Sequence, residues 1–147
     1  MGQRTYPFDI LTQLKDAGLI AASAAAQVGG VNQILDMGAA RIDAIAVIDV
    51  SAVEIGTGDE DFTIIIQGSS SSSFASNVQN LAMIDVGANA TGRPGGAIDS
   101  LVGRYELMFT NEQADVTYRY IRAYTKVAGT IATGVNYTAF VTELPDA

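Results

Sequence analysis

Asp59-Glu60-Asp61 is the densest group of carboxylates in the chain, and a hard cation such as calcium takes carboxylates as ligands. The triplet lacks the spaced acidic positions of an EF-hand loop. Gly56 and Gly58 precede the acids instead of lying among them, which is the composition of a solvated hairpin turn. Gly92-Arg93-Pro94-Gly95-Gly96 is rich in glycine, but no Lys-Ser or Lys-Thr pair and no helix follow it. It is therefore not a Walker-type phosphate loop. Gly68 and Ser69–Ser73 offer hydroxyls without a base to activate them. The chain contains no histidine, and Ser–Lys chemistry would need Lys15 or Lys126 brought into a pocket. Tyr118, Tyr120 and Tyr124 share a period of two with Arg122 and Lys126. They form either an aromatic and basic face for a sugar or a protein, or the rim of a core with hydroxyls reaching water.

The chain also has no cysteine. Serine–histidine and cysteine–histidine catalysis, and thiolate or imidazole metal sites, are excluded by residue type. A carboxylate-pair glycosidase needs only Asp and Glu, yet no tryptophan is present to stack a sugar. No catalytic, cofactor-binding or metal-ligating residue is assigned, and the expectation is a structural or binding protein, not an enzyme.

These residues sit in a chain of 147, the length of one domain with a sizeable core. Hydrophobic residues make up 48%, whereas charged residues at 16% fall well below the usual quarter. So sparse a charge leaves a surface of Ser, Thr, Asn, Gln, Gly and Ala, which suits partial burial against a partner. The formal charge of −8 and the scattered lysines and arginines disfavour nucleic acid. No run is long and apolar enough for a signal peptide or a membrane span, so no membrane partner and no export are expected. The sequons at Asn89 and Asn136 then read as chance matches.

Residues 1–16 read as an N-terminal arm with Tyr6, Phe8, Ile10, Leu11 and Leu14 as its apolar members. Pro7 disfavours helix before Phe8, and the last three have the spacing of a helical turn. The arm packs either on its own domain or on a neighbouring subunit. Residues 17–147 read as strands divided by turns. Ile20–Val28 is a small-residue run and Ile34–Met37 a short apolar piece. Ala44–Ile55 has Ile45, Val47, Val53 and Ile55 on one face and Ile48 and Val50 on the other. Phe62, Ile64 and Ile66 point inward, with Thr63, Ile65 and Gln67 outward. Val78–Val86, Tyr105–Thr110, Tyr118–Lys126 and Tyr137–Leu144 complete the set, with 87–103 as a long connection. The fold class expected is all-β, a two-sheet antiparallel sandwich of jelly-roll type.

Several stretches resemble tailed-phage capsid cement proteins of the Bordetella-phage type. Asp16-Ala17-Gly18-Leu19-Ile20-Ala21-Ala22-Ser23-Ala24-Ala25-Ala26 is similar to that family's opening Asp-Ala…Ala-Ser-Ala strand. Ile34-Leu35-Asp36-Met37-Gly38 is similar to its Ile-Asp-Leu-Gly step. Phe62-Thr63-Ile64-Ile65-Ile66-Gln67-Gly68-Ser69 stands where the family has a strand ending in Gln-Thr-Ser. Tyr118-Arg119-Tyr120-Ile121-Arg122-Ala123-Tyr124-Thr125 stands where it has a strand like Arg-Tyr-Leu-Arg-Leu. The order of elements matches over most of residues 8–144. The arm before Phe8 and the 87–103 connection depart from the pattern.

The resemblance implies a jelly-roll decoration protein of the virion that binds the outside of the head. There it clamps adjacent major capsid subunits and has no active site. Its expected partners are the major capsid protein and itself, as a dimer or trimer. Its expected location is the capsid surface, after synthesis in the host cytoplasm. Tyr6 and Phe8 of the arm, with Arg93 and Pro94 of the long connection, are the residues expected at capsid or intersubunit contacts. The alternative is a carbohydrate-binding β-sandwich using the tyrosine face, with a calcium ion at Asp59–Asp61.

Overall fold

The computed structural model describes residues 9–88 and 98–144 of the chain. Among them is one 3-10 turn, Ile10–Thr12, and otherwise only strands. Six short strands come first: β1 (Gln13–Lys15), β2 (Leu19–Ile20), β3 (Ala24–Ala25), β4 (Gln27–Val28), β5 (Val31–Asn32) and β6 (Leu35–Asp36). Long strands follow: β7 (Asp43–Val53), β8 (Asp61–Ser69), β9 (Gln79–Gly87) and β10 (Gly103–Thr110). After a small ribbon of β11 (Glu112–Gln113) and β12 (Val116–Thr117) come β13 (Tyr120–Ala128) and β14 (Val135–Glu143).

Two antiparallel sheets result. One has the order β1-β14-β7-β10 with β2 also on β14, and the other β3-β13-β8-β9 with β6 also on β13. The N-terminal segment therefore supplies the edge strands of both sheets and joins them at one corner. Taking β1/β2 and β3/β6 as single positions gives strand orders 1-8-3-6 and 2-7-4-5. The fold is a β-sandwich, and this order is compatible with a jelly roll.

The core lies between the sheets. Phe62, Ile64 and Ile66 of β8, all expected to point inward, are fully buried there beside Ile121 and Ala123 of β13. Ala44, Ala46, Ile48 and Val50 of β7 face them with Val135, Tyr137, Ala139 and Val141 of β14. Each large apolar side chain so buried stabilises the fold by roughly 1.5–3 kcal/mol. Leu14, placed in the arm by sequence, is fully buried in this core, and Gln13 and Lys15 pair with β14. From Gln13 onward, then, the segment packs on its own domain. Ile10 and Leu11 remain exposed.

One facial assignment changes. Asn136 pairs with Ala52 but Tyr137 with Val50, so Ser51 bulges out of the ladder. A bulge reverses the alternation beyond it. Val53, expected on the face of Ile45 and Val47, consequently packs on the core instead. Ile45 and Val47 lie on the other face of β7 and are buried in a small cluster with Phe140.

Candidate binding face

The outer face of the β3-β13-β8-β9 sheet collects most of the tyrosine and basic residues that the sequence placed together. Ile121, Ala123 and Thr125 of β13 point inward and are fully buried, which turns Tyr120, Arg122, Tyr124 and Lys126 outward. Tyr118 does not join them. It lies before β13, with its Cβ against Gly68, where an added Cβ would stand 2.8 Å away. Only glycine leaves room for that contact. Tyr137 is elsewhere again: it is fully buried, and its hydroxyl meets Thr125 Oγ1 at 2.7 Å across the two sheets. Burial pushes the Tyr137 phenol up to about 12.

On the outer face, cross-strand rows run from β13 through β8 to β9. Arg122 Nε donates to Gln67 Oε1 at 2.9 Å, and Gln67 Nε2 donates to Asn80 Oδ1 at 3.0 Å. Next to this row, Tyr124, Ile65 and Met83 stand in register. Ile65, expected outward, does face outward, yet only 6% of it is exposed because its neighbours on the same face cover it. Met83 is 52% exposed. The third row is Lys126, Thr63 and Asp85, where Thr63 Oγ1 donates to Asp85 Oδ1 at 2.6 Å.

Sequence reasoning missed the residue that completes this face. Phe74 follows the serine run, and its ring lies 4.4 Å from the Arg122 guanidinium carbon. The serines do more than fill a loop. Ser69 Oγ donates to the Ser76 carbonyl at 2.7 Å and accepts from Ser71 N, while Phe74 N donates to the Ser71 carbonyl. These bonds fold the loop back on the sheet. Phe74 takes a φ of 56°, a left-handed conformation that costs a bulky residue about 1–2 kcal/mol, and buries its ring. The lone aromatic in an otherwise polar loop was the signal available.

Arg122 is thus held by Phe74 on one side, Tyr124 at 5.5 Å and Gln67 through Nε. Burial draws its guanidinium below the usual arginine value, against a raising influence from Tyr124. Four described arginines can be compared. Arg41 pairs with Asp43 and Glu112, Arg104 with Asp49, and Arg119 with Asp36. Arg122 alone among these has no carboxylate partner.

Two members of the acidic triplet, Asp59 and Glu60, are committed to the protein's own loops. Asp59 Oδ2 accepts from Thr130 N and Thr130 Oγ1, and the Thr57 hydroxyl lies 2.6 Å from both Asp59 and Glu60. Those bonds, Thr57 first, hold the Asp59 carboxyl below its ordinary value. Glu60 is fully buried; burial works to raise it, but bonds from Thr57 and Gly58 outweigh that and lower it. Nearby, Glu54 accepts from three successive amides, Ala132, Thr133 and Gly134, and is lowered by them. Among the described residues, no group of three acidic residues could hold a metal ion.

Lys15 lines a cleft of about 500 Å³ at the N-terminal corner, with Asp16–Ala22 and Ala24–Gln27 around it. Its buried ammonium donates to the carbonyls of Asp16, Gly18 and Tyr137, and it lies 4.7 Å from the Tyr137 ring. Desolvation lowers its pKa, opposed by the charge of Asp16. With all three donors used, this lysine pins the corner to β14. Tyr6, Phe8, Arg93 and Pro94, the residues expected at contacts, lie outside the described residues. No helix among the described residues is long and apolar enough to cross a membrane. No family model matches the chain, and no curated protein matches it.

Proposed function

We propose that the chain is a decoration protein of a tailed-phage head that binds the outer shell and clamps adjacent major capsid subunits. The observation that carries this reading is the exposure of aliphatic side chains in the two segments assigned to contacts. Ile98, Leu101 and Val102 are each more than 60% exposed at the end of the long connection, and Ile10 and Leu11 are exposed within the arm. Exposed aliphatic clusters on a rigid sandwich mark a surface made to be covered. The sequence resemblance points the same way, and a clamp needs no reactive side chain.

Such a clamp adds buried area across a joint, so opening the joint also requires breaking the clamp's contacts. Many copies on one shell make modest individual affinities sufficient. In this reading the protein is not an enzyme, is made in the host cytoplasm and acts on the virion surface as a dimer or trimer.

The test uses purified heads stripped of the protein. The full chain should rebind to saturation, visible as added density by electron microscopy, and raise the temperature at which heads rupture. A chain lacking residues 1–9 should keep its melting transition and fail to saturate the heads. Failure of the full chain to bind overturns the proposal, and unchanged occupancy by the truncated chain removes the arm from it.

A further inference from the structure

We propose that the outer face of the β3-β13-β8-β9 sheet, centred on Arg122, docks an acidic segment of a partner protein. The inference rests on reading the chain as a docking protein, and it names the face and the chemistry of what docks there.

On a chain of formal charge −8, three of the four described arginines are matched to carboxylates of the same chain. Arg122 is matched to none, and neither is Lys126, which is exposed two rows away on the same face. An arginine has five N–H donors in a fixed fork. Gln67 takes the one on Nε, so the Nη groups that would grip a carboxylate in parallel remain for a partner.

The Arg122 side chain is also preorganised. A strained loop spends its backbone energy to set Phe74 against the guanidinium, and local strain of that kind persists only where surrounding structure enforces it. A side chain already held loses less freedom on binding. Tyr120, Tyr124, Arg122 and Met83 are the residue types enriched in protein interfaces, and they lie on one face of the sheet.

Other occupants fit less well. A sugar would want a free aromatic platform, whereas the Phe74 and Tyr124 rings face Arg122 and the Tyr120 ring faces Arg119. A second copy meeting this face about a two-fold axis at its centre would set the Arg122 guanidinium against its own counterpart.

The experiment is an NMR titration of the isotope-labelled full chain with hexaglutamate, alongside hexaglutamine and a galacturonic acid oligomer. Hexaglutamate should produce saturable, salt-sensitive shifts confined to residues 65–67, 83 and 120–126. Arg122→Gln should weaken its binding by about ten-fold or more, the loss expected when a charged hydrogen-bonding pair is removed. Arg122→Lys should lose most of the same affinity, because an ammonium keeps the charge without the fork.

Wild-type shift mapping stands even if an Arg122 variant unfolds, and Lys126→Gln, at an exposed position, should weaken binding by a smaller factor. The proposal is overturned by equal shifts with hexaglutamine, by shifts spread over the molecule, or by an Arg122→Gln chain that binds as the wild type does. Tighter binding of the galacturonic acid oligomer, or self-association lost in Arg122→Gln, also overturns it. A chain that saturates heads but ignores hexaglutamate retains the decoration reading and loses this docking face.

Discussion

Tyr137 is the residue on which the interior's polar chemistry turns. Its hydroxyl and Thr125 Oγ1 satisfy each other at 2.7 Å between the sheets, and its carbonyl accepts from the Lys15 ammonium. Replacing it by phenylalanine removes one partner of a buried pair and leaves the Thr125 hydroxyl unsatisfied, at a cost of about 1–3 kcal/mol. The same burial makes a pH signature. The phenol titrates at about 12 in the fold against 10.0 when unfolded. A folded value above the unfolded one means that the stabilisation is complete below pH 10 and is lost as pH rises toward 12. Two units amount to about 3 kcal/mol. Urea unfolding at pH 9 and 11.5 should therefore show a steep alkaline loss in the wild type and a smaller one in Tyr137→Phe; equal losses would refute the assignment. Lys15, lowered by burial, works in the opposite sense as pH rises toward 10.5, and it is common to both chains, so the difference between them isolates Tyr137.

At the scale of elements, the connections decide more than the strands do. The turn from β13 to β14 is bounded by Gly129 and Gly134, with φ of 97° and 101°. A Cβ on Gly134 would stand 2.0 Å from the Ile20 carbonyl oxygen, so the backbone of the N-terminal corner occupies the space of a side chain. Gly29 also has positive φ but nothing within 4 Å. Gly134→Ala should therefore destabilise the fold by well over the roughly 1–2 kcal/mol of backbone strain that Gly29→Ala incurs. Thermal melts of the two variants compare them directly, and similar melting temperatures would contradict the close approach. The strands themselves were legible because period two survives in one sequence: Phe62, Ile64 and Ile66 read inward and are inward. Val53 was misread because a bulge depends on its partner strand, and nothing in residues 44–55 marks it. The Arg122 face was half legible. The alternation of Tyr120, Arg122 and Tyr124 was visible, but Phe74 reaches Arg122 across 48 positions through a loop whose fold depends on hydroxyl bonds.

For the whole molecule, the sparse charges are unevenly employed, and acid should expose this. Asp36, gripped by Arg119 and the Gly38 amide, is held at about 2, and Glu54, Asp59 and Glu60 are lowered by amides and hydroxyls. Each of these carboxyls has a folded pKa below its unfolded one. Their stabilisation is therefore present above the ordinary carboxylate range and lost as pH falls toward 2, because the unfolded chain then binds more protons. The formal charge of −8 acts the other way, since protonation relieves self-repulsion. At 0.15 M salt the Debye length is about 8 Å, so repulsion between scattered surface charges is mostly screened, whereas hydrogen bonds at 2.7–3.0 Å are not. The local bonds should win. The melting temperature should stay nearly level from pH 7 to 5 and fall steeply below 4, with Glu54→Gln shallower in that fall because it has one such carboxylate fewer. A melting temperature that climbs through pH 4 would show that net charge outweighs the pinned loops, and the account of the acidic turn as structural cement for the molecule's own connections would have to be abandoned.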